Sequence, residues 1–370
     1  MTGKKKIAVI VTEYRYNSHA DVILGRLLGD FGYQPQVEVV SLYTDQVPEN
    51  DMSREMAGRR GIPIYGTIRD CIRAEHIGEP IDGIVIIGEH GKYPNNEKGQ
   101  TLYPRRRMLE ESIHTLDELG LRVPIFSDKF LSHDVEDALW MYGALKQRGI
   151  PFMGGSSIPH TDPVPAYDST KVRTLREIVV ISHSTLLEAY GFHALEVMQA
   201  VAEQRQGGES GVRSVEVIHG EEVWAAMERG DWPEDLMLAA LAAYPELEDA
   251  HPREKEPSPF LMMVDYLDGT KANVIQFRSL VEQWGFACRN REGEIIAALQ
   301  QSQLERPFNH FERFTRLIEE MMLTGKPPFP MERTLLTTIL TAAVIDSHYY
   351  KQRVAAPELA ISYQPEEATK

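Results

Sequence analysis

Short runs of β-branched residues alternate with stretches whose apolar positions recur at helical spacing, and this rhythm organises the chain through about Gly155. Residues 6–11 (Lys-Ile-Ala-Val-Ile-Val) predict a strand buried on both faces. Over residues 19–31, Val22, Ile23, Leu27 and Leu28 mark one face of a helix that Gly32 stops. A second strand is expected at 37–42, then a helix at 53–60, a short strand at 63–65, and a small helix after the cap residue Thr67. Residues 81–88 form the strongest buried strand, and the sequence then turns abruptly polar at Glu89-His90-Gly91. Further on, helices are predicted at 106–119 and 135–148. Strands at 123–126 and 150–153 end in Ser127-Asp128-Lys129 and in Gly154-Gly155-Ser156-Ser157. Alternation at this pitch implies a doubly wound parallel sheet with helices on both faces.

After about residue 160 the rhythm changes. Strands are expected at 178–181, 212–218, 260–266 and 272–277, the last two joined by the hairpin signal Asp268-Gly269. A long helix at 191–205 carries Leu195, Met198 and Val201 on one face, and helices at 308–323 and 331–352 follow. The expectation is an α/β chain of two domains. Residues 1–155 form the doubly wound sheet, and 156–370 form an α+β domain with an open antiparallel sheet and C-terminal helices.

A length of 370 residues agrees with two cores rather than one. The formal charge of −16 leaves no excess of Lys and Arg to neutralise phosphates, which argues against nucleic-acid and anionic-membrane partners and leaves a small molecule. Cys71 and Cys288 are too few and too far apart for a disulfide framework or a zinc ribbon. The apolar run at 7–11 is too short for a signal peptide and no stretch is long enough to span a bilayer, so a cytoplasmic location is expected.

In an open parallel sheet, ligands bind beyond the carboxyl ends of the strands. That rule selects Thr12-Glu13-Tyr14-Arg15, Glu89-His90, Asp128-Lys129 and Gly154 to Ser157. Dinucleotide binding normally needs glycines directly after the first strand, so that backbone can approach a pyrophosphate. Here residues 11–19 contain none, and Glu13, Tyr14 and Tyr16 stand in their place, which argues against conventional NAD(P) binding. Lys129 beside Asp128 can donate a proton to a substrate oxygen, although a surface ion pair is the plainer reading. His193 and Glu196, three apart on one helix, share a face and can relay protons or hold a metal; a merely hydrogen-bonded histidine is the ordinary alternative. Ser156-Ser157 can present backbone N–H groups to an anion, or can simply follow a Gly-Gly turn.

Three local patterns resemble the glucose–fructose oxidoreductase, inositol dehydrogenase and MocA family. Residues 61–70 (Gly-Ile-Pro-Ile-Tyr-Gly-Thr-Ile-Arg-Asp) are similar to the stretch after that family's second helix. Residues 123–131 are similar to its Pro-Val-x-x-Glu-Lys-Pro-Leu segment, with Asp128 for Glu and Phe130 for Pro. Residues 191–196 are similar to its Gly-x-His-x-x-Asp segment, with Glu196 for Asp. The family usually has an aspartate four residues before that histidine, where this chain has Ala189. The resemblance implies a Rossmann-like first domain, NAD(P)-dependent oxidation of a sugar, polyol or related hydroxylated compound, and a homo-oligomer built through the antiparallel sheet. It implies roles at the chemistry for Lys129 and His193; together with the strand-end residues, the expectation is Asp128 beside them, Thr12, Tyr14, Glu89 and His90 around the cofactor, and Ser156, Ser157 and Glu196 toward the substrate. The alternative is a hydrolase or lyase that has abandoned the nucleotide on the same scaffold and works around a divalent metal or without one.

Overall fold

The computed structural model describes residues 3–245, 247 and 251–365. Two compact units emerge, Met1–Ser157 with Gln303–Leu335, and Ile158–Ser302 with Leu336–Lys370.

The first unit begins with β1 (Lys5–Val11), α1 (His19–Leu27), β2 (Val37–Thr44), α2 (Ser53–Gly58), β3 (Ile64–Tyr65) and α3 (Ile68–Arg73). It continues with β4 (Gly83–Ile87), α4 (Arg105–Leu119), β5 (Ile125–Asp128), α5 (Val135–Arg148) and β6 (Phe152–Gly155). All six strands are parallel, in the order β3-β2-β1-β4-β5-β6. The order reverses between β1 and β4, which opens a crevice at their carboxyl ends. Local chemistry sets the helix ends: Asp134 caps α5 by accepting the N–H of Asp137, and Gly149 closes it in the left-handed conformation.

The second unit holds β7 (Pro163–Val164), β8 (Leu175–Ser182), α6 (Leu187–Ala202), β9 (Val212–His219), α7 (Glu221–Glu228) and α8 (Glu234–Leu241). After α9 (Pro252–Lys255) come β10 (Phe260–Tyr266), β11 (Lys271–Gln276), β12 (Trp284–Asn290) and β13 (Ile295–Gln300). Its seven strands run in the order β7-β13-β12-β8-β11-β10-β9. The sheet is mixed rather than purely antiparallel: β8 and β11 pair in parallel, Lys271 opposite Glu177, while the other neighbours are antiparallel.

Two helices complete the chain, α10 (His310–Thr324) and α11 (Met331–Tyr350). Sequence order suggested that both belong to the second domain, yet α10 lies within the first unit. Its Phe311, Phe314, Ile318, Met321 and Met322 join one apolar cluster with Val9, Val11, Tyr14, Leu24 and Phe126. Glu319 fastens it there, accepting the N–H of Gln36 at 2.6 Å and the hydroxyl of Tyr33 at 2.5 Å.

Candidate active site at the strand ends of the first unit

The carboxyl ends of β1, β4 and β5 gather buried ionisable side chains into one network. Two of them sit on backbone that non-glycine residues seldom adopt: φ is 72° at His90 and 68° at Lys129. Lys129 is held there by reciprocal backbone hydrogen bonds with Gly155, 3.2 Å from its N–H and 2.9 Å to its carbonyl. This turn leaves its ammonium group 4.0 Å from Glu89 Oε1, with the lysine side chain only 7% exposed. The Glu89 carboxylate also receives Nη2 of Arg105. Gly88 makes the approach possible, because a Cβ there would stand 2.9 Å from Cγ of Arg105. The Arg105 guanidinium lies over the rings of Phe130 and Tyr103, at 4.3 and 4.9 Å from their centroids.

Burial works against the charged form of Glu89, but Lys129, Arg105 and the neighbouring histidines outweigh it and hold the carboxyl down at about 2. Burial pushes His90 down to about 4, aided by His19 and opposed by Glu89. Asp128 is 2% exposed, and its Oδ2 lies 2.7 Å from Nδ1 of His19, the first residue of α1. Glu13 accepts Nε of Arg15 at 2.6 Å, and Nη2 of Arg15 lies 3.2 Å from Nδ1 of His90. Thr12 donates its hydroxyl to the Glu89 carbonyl at 2.6 Å and so ties the ends of β1 and β4 together.

Of the residues singled out in the sequence for this unit, Thr12, Glu89, His90, Asp128 and Lys129 come together in this way. Ser156 and Ser157 follow β6 and are 1% and 3% exposed. Tyr14 turns inward instead: its ring is fully buried and packs in the apolar cluster that α10 closes, away from any cofactor. His19 and Arg105 are not among the residues that the sequence marks for the site; they lie at the starts of helices α1 and α4. Only the fold brings them to Asp128 and Glu89.

The residues present do not fit a dinucleotide pyrophosphate at its usual place, the N-terminus of α1. That end is closed by the chain's own groups. Ser18 Oγ accepts the N–H of Asp21 at 3.2 Å, and Asp21 accepts the N–H of Asn17 at 2.9 Å and Nη1 of Arg306 at 2.6 Å. An incoming phosphate would meet the carboxylates of Glu13 and Asp21, 6% and 1% exposed, and no glycine opens the backbone.

His193 and Glu196 belong to the second unit. The His193 ring lies 5.3 Å from that of Trp284, which also contacts His183 at 4.6 Å and stacks on Tyr190 at 6.0 Å. Burial lowers His183 to about 4. Glu196 is 1% exposed and accepts the hydroxyl of Thr337 on α11. Among the described residues no group of three or more His, Cys, Asp or Glu side chains is arranged to hold a metal ion, and no helix is long and apolar enough to cross a membrane.

No family model matches the chain, and no curated protein sequence matches it. Solved structures do. GenD2 from gentamicin A biosynthesis, solved in complex with NAD, is 12% identical, covers 96% of this chain and 97% of its own, and has a TM-score of 0.62. A myo-inositol dehydrogenase from Corynebacterium glutamicum is 12% identical over 95% of this chain and 98% of its own, with a TM-score of 0.57. The myo-inositol dehydrogenase from Lactobacillus casei, solved with NAD(H) and myo-inositol, is 11% identical over 95% and 97%, with a TM-score of 0.60. The chain therefore has the fold of these dehydrogenases along nearly its whole length, and the family resemblance read from the sequence holds at the level of fold.

Proposed function

We propose that this chain is an oxidoreductase acting on a sugar, polyol or related hydroxylated small molecule, with a nicotinamide cofactor held in a manner that does not use the first loop as a phosphate cradle. The supporting observation is Lys129: a nearly buried ammonium group at the end of a central strand, turned out on left-handed backbone beside a carboxylate kept ionised. Such a lysine can donate to a substrate hydroxyl or carbonyl oxygen and orient it. In this reading Asp128 and His19 hold and pass a proton, while Glu89 and His90, tied down by Thr12, form the wall toward the cofactor. Ser156 and Ser157 offer polar contacts to substrate. His193 carries the proton-transfer role that the resemblance implies, and Glu196 steadies its helix against Thr337.

A second reading has its own observation. The closed N-terminus of α1, with Glu13 and Asp21 in the way, is what keeps open an enzyme that works without the nucleotide, as a hydrolase or lyase on the same scaffold. Its metal-dependent form has no three-ligand cluster to rest on among the described residues.

Titration of the full chain with NADH and NADPH, followed by nicotinamide fluorescence, separates the two. Saturable binding weakened about tenfold or more by Lys129→Met supports the oxidoreductase. No binding at millimolar cofactor removes it and leaves the second reading.

A further inference from the structure

The second unit carries a cluster of cationic groups that the dehydrogenase reading does not use. A cavity of about 530 Å³ is lined by Arg173, Arg176, Arg205 and Arg291, with the Asp268–Thr270 turn on one side. It lies at the C-terminal end of α6, whereas His193 sits in the helix's N-terminal half. Backbone hydrogen bonds fix its rim: Gln206 N–H to the Arg173 carbonyl at 2.8 Å, and Arg291 N–H to the Thr174 carbonyl at 2.9 Å.

Arg205 is the base of the cavity and is 5% exposed. Its Nη2 reaches Glu209 at 3.2 Å, and its guanidinium lies 4.2 Å from the centroid of the Tyr266 ring. Its Nη1 is 3.5 Å from Asp268 but makes no hydrogen bond, and its Nε makes none either. Buried guanidinium N–H groups left without acceptors are uncommon, and each costs desolvation energy unless a ligand supplies the acceptor. Glu209 is shared with other donors: Oε2 takes the Gln199 amide at 2.5 Å beside Nη2 of Arg205, and Oε1 takes the Gly211 N–H at 2.7 Å. Around this base, Arg173, Arg176 and Arg291 are exposed, and among the described residues none of their side chains has a hydrogen-bond or ion-pair partner.

Four arginines converging on one cavity, in a chain of net charge −16, is the opposite of what composition alone would place there. Planar guanidinium groups match the oxygens of phosphoryl groups two at a time. The volume falls within the range of small-molecule sites. We propose that this cavity is a second ligand site, separate from the strand-end crevice, that binds a small molecule carrying one or more phosphoryl groups. Arg205 grips a phosphoryl oxygen from below, and Arg173, Arg176 and Arg291 neutralise the remaining charge.

Isothermal titration of the full chain with inorganic pyrophosphate and with inorganic phosphate tests this. Pyrophosphate should bind at one site, more tightly than phosphate, and more weakly as salt is added. The triple variant R173Q/R176Q/R291Q changes only exposed, unpartnered side chains and should keep the native melting temperature while losing affinity about tenfold or more. Arg205→Lys should lose it as well. A control variant, R59Q/R69Q/R122Q, removes three exposed arginines of the first unit and should bind as the native protein does. No heat at millimolar pyrophosphate, or equal losses in the triple variant and the control, would overturn the proposal.

Discussion

The two units treat buried charge differently. At the strand ends of the first, each carboxylate has a cationic or imidazole counterpart within the chain: Glu13 with Arg15, Asp128 with His19, and Glu89 with both Arg105 and Lys129, although Nε of Arg105 and Nε2 of His90 stay without hydrogen bonds. In the cavity of the second, one arginine is buried with two nitrogens unsatisfied and three more stand without partners among the described residues. In the first arrangement the carboxylates already balance the cations, so it suits precise orientation of groups and gives little attraction for an anion. The second is incomplete, and its field is available to a ligand. Carboxylates stand after β1 where this fold usually meets phosphate, while beyond the C-terminal end of α6 three exposed arginines line a cavity without partners among the described residues.

Breaking the first arrangement should have the largest effect. Glu89→Gln leaves Arg105 and Lys129 buried without their shared anion and should cost about 3–5 kcal/mol, read as a lower urea midpoint at unchanged slope. A loss below about 1 kcal/mol would mean that the rings of Tyr103 and Phe130 satisfy Arg105 unaided.

Acid should separate the units next. His90 and His310 in the first and His183 in the second are kept neutral by burial, each pushed from the ordinary 6.5 to about 4. The native state then binds fewer protons than the unfolded one between those values. The stability this contributes is therefore complete above about pH 6.5 and lost as pH falls towards 4. Glu89 adds a further loss between its ordinary 4.5 and about 2, again on going down in pH. Thermal melts across this range should fall in steps, and amide exchange should show the first unit opening at higher pH than the second. Replacing His90 with Gln should flatten the upper part of that decline. A slope unchanged by the replacement would mean that His90 is protonated in the native state.

Smaller still is the gain from ligand. At about a hundred times its dissociation constant, pyrophosphate should stabilise the protein by about 2.7 kcal/mol, with new amide protection confined to the turns that line the arginine cavity. The smallest effect belongs to the rim: Lys5→Gln removes an exposed pair with Asp82 at 2.7 Å and should change stability by less than about 1 kcal/mol.

Much of the scaffold was legible where local signals agree with the final fold. The helix expected at 135–148 is Val135–Arg148, bounded by Asp134 and Gly149, and the strand expected at 260–266 is Phe260–Tyr266. Strands β12 and β13 escaped because their residues read otherwise in isolation. Gly285 interrupts β12 for a tertiary reason, since a Cβ there would stand 3.0 Å from the ring of Tyr244. The Ala-Ala-Leu of β13 suits a helix as well as a strand. The short helices α7 and α8, under Trp224 and Leu236, were not anticipated either; eight residues give too little periodicity to detect. At the site, the strand-end rule was enough to mark Lys129 and Glu89. His19 and Asp128 are 109 positions apart, and no pattern along the chain connects them.

The return of α10 to the first unit has a consequence for the order of events during synthesis. The apolar face of Val11, Leu24 and Phe126 is closed by Phe314, Ile318 and Met321, which leave the ribosome only after the whole of the seven-stranded sheet. Domains generally fold as they emerge, N-terminal first. Here the N-terminal unit must wait with one side open until the C-terminal one has largely been made. A nascent chain stalled after Ser302 should therefore be cut by protease within its first 157 residues, and one extended past Leu335 should resist.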